Sequence, residues 1–246
     1  MAGMTTIEWT EQTWNPTTGC SKVSSGCQNC YAEIMARRLQ AMKAPGYELG
    51  FNLALHQDRL TQPLLRKKPT LYFVDSMSDI FHEDIPDSFI DQVFDIIKQT
   101  PHHTYQILTK RANRLPEYFL KRQCPQNVWL GVTVEDKQTK SRISCLKKIK
   151  ATVRFLSIEP LLEDLGKLDL TKIDWVIVGG ESGPKARPMA LDWVESIKEQ
   201  CHKNMVAFFF KQWGGWGADG KKRSKKENGR KLNGTIWNQM PFEYHK

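Results

Sequence analysis

Six short runs of β-branched and aromatic residues recur along the chain, and this recurrence most restricts how it can fold. The runs are 71–74, 105–108, 128–132, 153–157, 175–178 and 206–210. Between them lie segments such as 88–99 and 192–202, which carry apolar residues at helical spacing. Strands that alternate with helices are typical of βαβ units and a parallel sheet. With a further strand expected within 7–14, the sequence predicts about seven β/α units.

Small, charged or hydroxyl residues follow every predicted strand. After the first strand comes a cysteine-containing loop, and the other strand ends lead into Asp75 to Asp79, Thr109 to Arg111, Thr133 and Glu135, Glu159, Gly179 to Gly183, and Lys211 to Trp213. In a parallel barrel these ends share one face, where β/α-barrel active sites are built. A helix-capping role would explain Asp75, Glu135 or Glu159 taken singly. Their repetition predicts a partial or distorted (β/α) barrel of the α/β class, with its active face at the strand C-termini.

Composition gives the broad class of the protein. Of 246 residues, 40% are hydrophobic and 26% charged, which is ordinary for a globular protein. No apolar run approaches the ~20 residues of a membrane helix, so we expect no membrane contact and a cytoplasmic location. No compositional break divides 31–211. The sequence therefore predicts one barrel domain, 1–217, followed by a basic loop and C-terminal tail, 218–246, packed on or near it.

The formal net charge of +9 is concentrated near the C-terminus. Segment 221–231 contains seven basic residues and one acid, Glu227. A segment of this kind can hold a nucleic-acid backbone electrostatically. A plain solvated loop has the same composition, so both interpretations stay open.

Three of the six cysteines lie within eleven residues, in the pattern Cys20-x6-Cys27-x2-Cys30. Structural zinc normally takes four protein ligands, whereas an iron–sulfur cluster held by three cysteines leaves one iron free. No other cysteine or histidine precedes His56, so a zinc site would need a distant ligand such as His82. The remaining cysteines are scattered and are interpreted as ordinary thiols: Cys124, Cys145 and Cys201.

Three functional hypotheses follow from the cysteine loop. The first is an iron–sulfur enzyme with one coordination position open. The second is a zinc-binding, non-catalytic module that contacts nucleic acid or protein, its tetrahedron completed by His82 or a fourth cysteine. The third is a metal-free β/α protein whose cysteines are incidental.

Several segments together form a specific set. They are Trp14-Asn15-Pro16, Gly19-Cys20, Cys27-x2-Cys30-Tyr31, Val74 to Asp79, Leu108 to Arg111, Trp129 to Glu135, Ser157 to Leu161 and Gly179 to Gly183. With these segments, the chain is similar to a poorly characterised family of phage and bacterial proteins of unknown function. That family is related to radical S-adenosylmethionine (SAM) proteins near the spore photoproduct lyase type. The cysteine spacing of six and two residues departs from the superfamily's common pattern, and Tyr31 follows the last cysteine instead of preceding it.

The resemblance implies a fold, a cofactor pair and a chemistry. It implies a [4Fe–4S] cluster on Cys20, Cys27 and Cys30, with SAM on the open iron and a 5′-deoxyadenosyl radical as the reactive product. A nucleic acid or nucleotide-derived substrate is expected from this kinship and from the basic segment 221–231. An electron-donor protein is a further expected partner.

The cofactor-binding residues are expected at the strand ends. Asp75, Ser76 and Ser78 are candidates for the cofactor's amino group or ribose, and Lys110, with Arg111, for its carboxylate. The set is completed by Glu135, Glu159, Gly179, Gly180 and Glu181. A tight βα turn is the alternative role for the glycine pair, since its position differs from that of the superfamily's Gly-Gly-Glu run. Segment 211–217, with two tryptophans among glycines, is either a lid over the substrate or a hydrophobic plug.

Overall fold

The computed structural model describes residue 5 and residues 7–241 and is built around one seven-stranded sheet. The strands are β1 (Gln12–Trp14), β4 (Leu71–Val74), β5 (Thr104–Thr109), β6 (Val128–Thr133), β7 (Val153–Ile158), β8 (Trp175–Gly179) and β9 (Ala207–Gln212). They lie side by side in this order, and every neighbouring pair is parallel. The sheet curls into a half-barrel with β1 and β9 at its edges, which confirms the predicted partial β/α barrel.

Helices connect most of the parallel strands. They are α1 (Tyr31–Ala41), α2 (Asp87–Gln99), α3 (Arg114–Tyr118), α4 (Ser141–Lys147), α5 (Leu191–Lys203) and a short α6 (Lys225–Asn228). Among residues 7–241, four 3₁₀ turns occur at Ser25–Cys27, Gln57–Arg59, Gln62–Leu65 and Lys137–Lys140. The short strand β2 (Thr17–Thr18) pairs antiparallel with β3 (Ala54–Leu55). In the described part of the chain, no helix has the length and apolarity needed to cross a membrane.

The first strand is shorter than the sequence indicated. The predicted strand within 7–14 forms ladder pairs only at Gln12–Trp14. Just before it, side chains add to the backbone bond from the Glu11 N–H to the Leu71 carbonyl: Glu11 accepts from the Leu71 backbone N–H at 2.9 Å, and Thr10 donates to the Leu71 carbonyl at 3.1 Å. Trp9, in the same segment, packs against Phe73 and Trp175 in the cluster that fills the bottom of the half-barrel.

Side-chain alternation along the strands divides the inner face into two zones. Near the strand N-termini the inward positions carry a buried, mainly aromatic cluster that includes Trp9, Phe73, Trp129, Phe155, Trp175 and Phe209. Gly131 makes room for it, because a Cβ there would lie 2.5 Å from the Phe155 ring. Two or four residues further along the same strands, inward positions are polar, as at Asp75, Ser157 and Glu159. Because every second side chain of a strand points to the same face, the same strands supply both the closed aromatic floor and the open polar mouth.

The segment after β9 packs into the main core that the sheet shares with the helices. Trp213 is 2% exposed and belongs to the main core, and its indole Nε1 donates to the Lys231 carbonyl at 2.9 Å. The lid expectation is therefore wrong for Trp213, because its ring fills the main core rather than the mouth. That core is separate from the aromatic cluster inside the half-barrel, so Trp213 does not plug the barrel either. Residues 237–239 cover the β9 edge through backbone bonds with Phe208 and Phe210. Of the predicted domain and tail, 1–4, 6 and 242–246 lie outside the described residues.

Candidate functional site

A cavity of about 650 Å³ opens at the carboxyl ends of the strands. Cys20, Cys27 and Cys30 all line it, from the loop that joins β2 to α1. Its walls come from every strand end in turn: Asn15, Asp75 to Asp79, Thr109 to Arg111, Thr133, Ser157, Glu159, Gly180 to Ser182, and Lys211. The face at the strand ends, where the sequence predicts the active site, thus forms a cavity that the three cysteines line.

The cysteine loop begins at a glycine that the packing requires. Gly19 has φ +81°, and a Cβ on it would lie 2.1 Å from the Asn52 carbonyl oxygen. Its backbone N–H donates to the Met77 carbonyl at 3.0 Å, and its carbonyl accepts from Ser78 Oγ at 2.6 Å. The turn after β4 therefore fixes the start of the loop.

Arg111, at the end of β5, clamps the first cysteine. Its guanidinium donates to Cys20 Sγ at 3.4 Å and to the Ser21 carbonyl at 3.1 Å, and it pairs with Asp79 at 3.2 Å. Burial raises the pKa of the Cys20 thiol to about 11, and the Arg111 cation acts in the opposite direction by favouring the thiolate. Arg111 is thus placed to stabilise an ionised Cys20.

Glu135, two residues beyond the end of β6, holds the middle of the loop. The side chain is fully buried and forms ion pairs with Lys110 at 2.9 Å and Arg142 at 2.7 Å. It accepts from Ser24 Oγ at 2.8 Å, and a Cβ on Gly26 would come within 2.5 Å of it. Burial opposes ionisation, but the two cations outweigh it, so the pKa of Glu135 lies below its ordinary value.

Glu181, after β8, holds the far end of the loop. Its carboxylate accepts from Asn29 Nδ2 at 3.0 Å and pairs with Arg187 at 2.6 Å. Arg187 in turn donates to the Ser25 carbonyl at 3.0 Å. The Arg187 cation and these hydrogen bonds lower the pKa of Glu181, although burial acts against them. Three strand ends, at Arg111, Glu135 and Glu181, therefore brace one loop.

The turn after β4 supports the approach to the loop. The Asp75 carboxylate accepts from the Thr17 backbone N–H at 3.0 Å and from Thr17 Oγ1 at 2.7 Å, and Asp75 has φ +53°. Burial raises the pKa of Asp75 to about 7 despite these bonds. Ser76 Oγ donates to Asn15 Oδ1 at 3.1 Å, and the Ser76 carbonyl accepts from the Tyr31 hydroxyl. The predicted cofactor residues Asp75, Ser76 and Ser78 thus line the cavity, while their polar side-chain atoms bond to neighbouring backbone and side chains.

A second polar group lies at the ends of β7, β8 and β9. Glu159 Oε1 accepts from Lys211 Nζ at 2.8 Å across Gly179, where a Cβ would lie 2.9 Å from that oxygen. Gly180 has a different constraint, since a Cβ there would meet the Trp213 carbonyl oxygen at 2.0 Å. The glycine pair therefore serves close packing, and Gly179 leaves room for an ion pair that spans an intervening strand.

In residue type, the three thiols at the cavity mouth suit a cluster held by three thiolates. All three cysteines are free, they lie on one braced loop, and soft thiolates are the ligands that iron–sulfur clusters take. As the described residues stand, no three histidine, cysteine, aspartate or glutamate side chains are grouped tightly enough to hold a metal ion. Binding would therefore require the loop to draw its thiols together, and deprotonation of the Cys20 thiol.

His82 is engaged elsewhere. It is 3% exposed, its Nε2 lies 2.9 Å from Ser21 Oγ, and its Nδ1 accepts from the Asp84 backbone N–H at 3.1 Å. Both ring nitrogens therefore have partners in the fold. This arrangement does not favour the zinc-module alternative, in which His82 supplied the fourth ligand.

Three site residues were not predicted: Asn15, Asn29 and Arg187. Lys211 was expected at a strand end, but its pairing with Glu159 was not. Asn15 belongs to the Trp14-Asn15-Pro16 segment and so carried a sequence signal that was not used. Asn29 and Arg187 carried none, because their roles depend on contacts across more than 150 residues of chain with Glu181 and Ser25.

The family model described as "Protein of unknown function (DUF5131)" matches residues 4–241. No curated protein matches the chain. Solved structures of spore photoproduct lyase are similar to it: one mutant has a TM-score of 0.52 at 12% identity. Another mutant, with bound AdoMet and dinucleoside spore photoproduct, has a TM-score of 0.50 at 13% identity. The alignments cover 82% of this chain and 64% of the lyase chains, so the likeness shows a shared fold over part of the lyase.

Proposed function

The chain belongs to the DUF5131 family, whose function is unknown, and we propose that it is a radical SAM-type enzyme. One observation carries the proposal. Three free cysteines occupy a loop braced by three strand ends, and they line a cavity at the C-terminal face of a parallel half-barrel. Barrel active sites lie on this face, and a ligand set with one position left open suits a bound substrate-like cofactor.

In this proposal Cys20, Cys27 and Cys30 hold a [4Fe–4S] cluster, and SAM occupies the adjoining part of the cavity. When bound, the cluster would supply the electron that cleaves the sulfonium to give a 5′-deoxyadenosyl radical. Arg111 favours the thiolate of Cys20 through its 3.4 Å contact. The aromatic floor excludes water from below, as radical chemistry requires.

The residues nearest the cysteine loop are those we assign to SAM. Lys110, 23% exposed at its side chain, offers a cation for the cofactor's carboxylate beside Glu135. The turn from Asp75 to Ser78 would contact the amino group or the ribose. Gly180 and Glu181 wall the same space from β8. We assign Glu159 and Gly179, first expected to bind the cofactor, to the group with Lys211, because Glu159 pairs with Lys211 across Gly179.

A nucleic acid or nucleotide-derived substrate suits the rim of the cavity. Lys225 lines the cavity, and exposed residues from Lys221 to Lys226 continue its positive charge outward. Such a surface would hold phosphates in a salt-dependent manner. An electron-donor protein is a further proposed partner. Six free cysteines suit a reducing compartment, so we propose a cytoplasmic location.

Anaerobic reconstitution with iron and sulfide tests the cluster directly. We expect about four irons per chain in the wild type and in Cys145→Ala, but loss of bound iron in Cys27→Ala. Cys145 is a matched control because it is a free cysteine outside the loop, with its thiol 3.4 Å from Asn113 Oδ1. Equal iron content in both variants would show that the ligand assignment is wrong. Stoichiometric zinc without iron would support the binding module instead.

A further inference from the structure

We propose that the Glu159–Lys211 pair is a substrate-recognition site for a flat ring that carries an amide-type edge, a ring N–H beside a carbonyl. The inference deepens the proposed function, on which it rests, by naming the part of a nucleobase that the cavity reads. Lys211 would donate to the carbonyl, and Glu159 would accept from the N–H. Neither SAM nor the cysteines enter this contact.

The pair is a built feature of the sheet. Val178 pairs with Phe210 and Gly179 with Gln212, so Lys211 is the extra residue of a β-bulge. Bulges re-aim a side chain and are common beside active sites. Here the bulge, together with the missing side chain at Gly179, lets Lys211 reach Glu159 at 2.8 Å across β8.

The surroundings of the pair suit a flat, uncharged ring. One step deeper on neighbouring strands, Thr133 and Ser157 lie in register and both line the cavity. Below them the floor is aromatic, and Trp9 and Phe73 line the cavity as well. A planar heterocycle can lie on such a floor while its polar edge meets the wall.

The charges of the pair favour a neutral ligand group over an anion. Glu159 is 16% and Lys211 17% exposed, so each charge is largely shielded from water and is balanced by the other. Breaking such a pair leaves an uncompensated buried charge, so a ligand that replaced only one partner would bind poorly. An edge with a donor beside an acceptor satisfies both partners at once. Phosphates would instead meet Lys225, whose pairing with Glu8 is long, at 3.7 Å, and half-exposed.

The position of the pair also suits radical chemistry. Glu159 and Lys211 line the same cavity as Cys20, Cys27 and Cys30. The recognition pair and the cysteine loop therefore face the same space. A ring held by Glu159 and Lys211 would lie beside the proposed cofactor, within one cavity.

Ligand-observed NMR titration with uridine and 3-methyluridine tests the inference without a cluster or SAM. The methyl group removes the ring N–H and leaves the ring and its carbonyls. We expect uridine to bind the wild type at least about tenfold more tightly than 3-methyluridine. Lys211→Met and Glu159→Gln should each lower the affinity for uridine about tenfold. Gly179→Ala should also weaken uridine binding, because the added Cβ displaces Glu159. The control is Lys203→Met, since Lys203 pairs with Glu199 on the exposed face of α5.

Three results would overturn the inference: equal binding of the two nucleosides, unchanged affinity in Lys211→Met, or full competition between uridine and S-adenosylhomocysteine. The last result would assign the pair to the cofactor. Iron content of each variant after reconstitution and its near-ultraviolet circular dichroism separate misfolding from lost recognition. Nucleoside binding needs no iron, so the two proposals can fail separately. A failed reconstitution would refute the proposed function, whereas the nucleoside affinities alone decide whether the Glu159–Lys211 pair recognises a ring.

Discussion

Glu135→Ala removes the buried carboxylate that braces the middle of the cysteine loop. Two cations, Lys110 and Arg142, then lose a partner at 2.9 and 2.7 Å, and Arg142 is only 10% exposed at its side chain. Removing one partner of a buried ion pair typically costs about 3–5 kcal/mol. Because Lys110 retains some access to water, we expect the free energy of unfolding to fall by about 3 kcal/mol.

Denaturation in urea, followed by tryptophan fluorescence, measures the loss. Glu199→Ala is the matched control, because Glu199 also pairs with a lysine but both side chains are exposed, so no measurable change is expected. Glu135→Ala should in addition reduce iron retention, since Ser24 and Gly26 lose their support. If Glu135→Ala and Glu199→Ala unfold at the same urea concentration, the bracing role of Glu135 is refuted.

Three further substitutions test separate parts of the structure. Asp75→Asn tests the raised pKa of Asp75, which goes from 3.8 to about 7 on folding. The folded state then binds the proton more tightly, so wild-type stability should fall as pH rises from about 4 to 7, and the variant should lack this fall in urea titrations. Gly131→Ala should cost about 1–3 kcal/mol of unfolding free energy, because the added Cβ meets the Phe155 ring at 2.5 Å; an unchanged melting curve would contradict this packing. In Arg111→Met, iodoacetamide should alkylate Cys20 more slowly than in the wild type, with Cys145 as the internal reference, because the cation that favours the Cys20 thiolate is lost. If mass spectrometry gives the same Cys20 rate in both proteins, Arg111 does not favour the thiolate.

The architecture could be predicted because local patterns determine it. Buried runs such as 128–132 and 175–178 mark parallel strands, and Ser88 to Gln99 shows helical periodicity that the structure places in α2. The residues that follow each strand can also be read from the local sequence, and the carboxyl ends of parallel barrel strands lie on one face. This rule alone predicts that Cys20, Asp75 and Glu181 line one cavity, as they do.

The roles of individual site residues could not be predicted because they depend on long-range partners. Glu135 contacts Ser24 across 111 residues of chain, and nothing near either residue indicates the other. Lys211 reaches Glu159 only because a bulge and a glycine coincide, and a one-residue shift in the ladder is not visible in the sequence. The aromatic segment after β9 had two interpretations for the same reason: the core position of Trp213 depends on Lys231, eighteen residues later.

Detection of 5′-deoxyadenosine tests the central claim most directly. The reconstituted protein is reduced with dithionite in the presence of SAM, and the products are analysed by mass spectrometry beside Cys27→Ala. We expect 5′-deoxyadenosine from the wild type and none above background from the variant, because the cavity, the thiols and the open coordination position would act together. Full iron loading of the wild type with no cleavage of SAM would contradict the proposal that this barrel is a radical SAM-type enzyme.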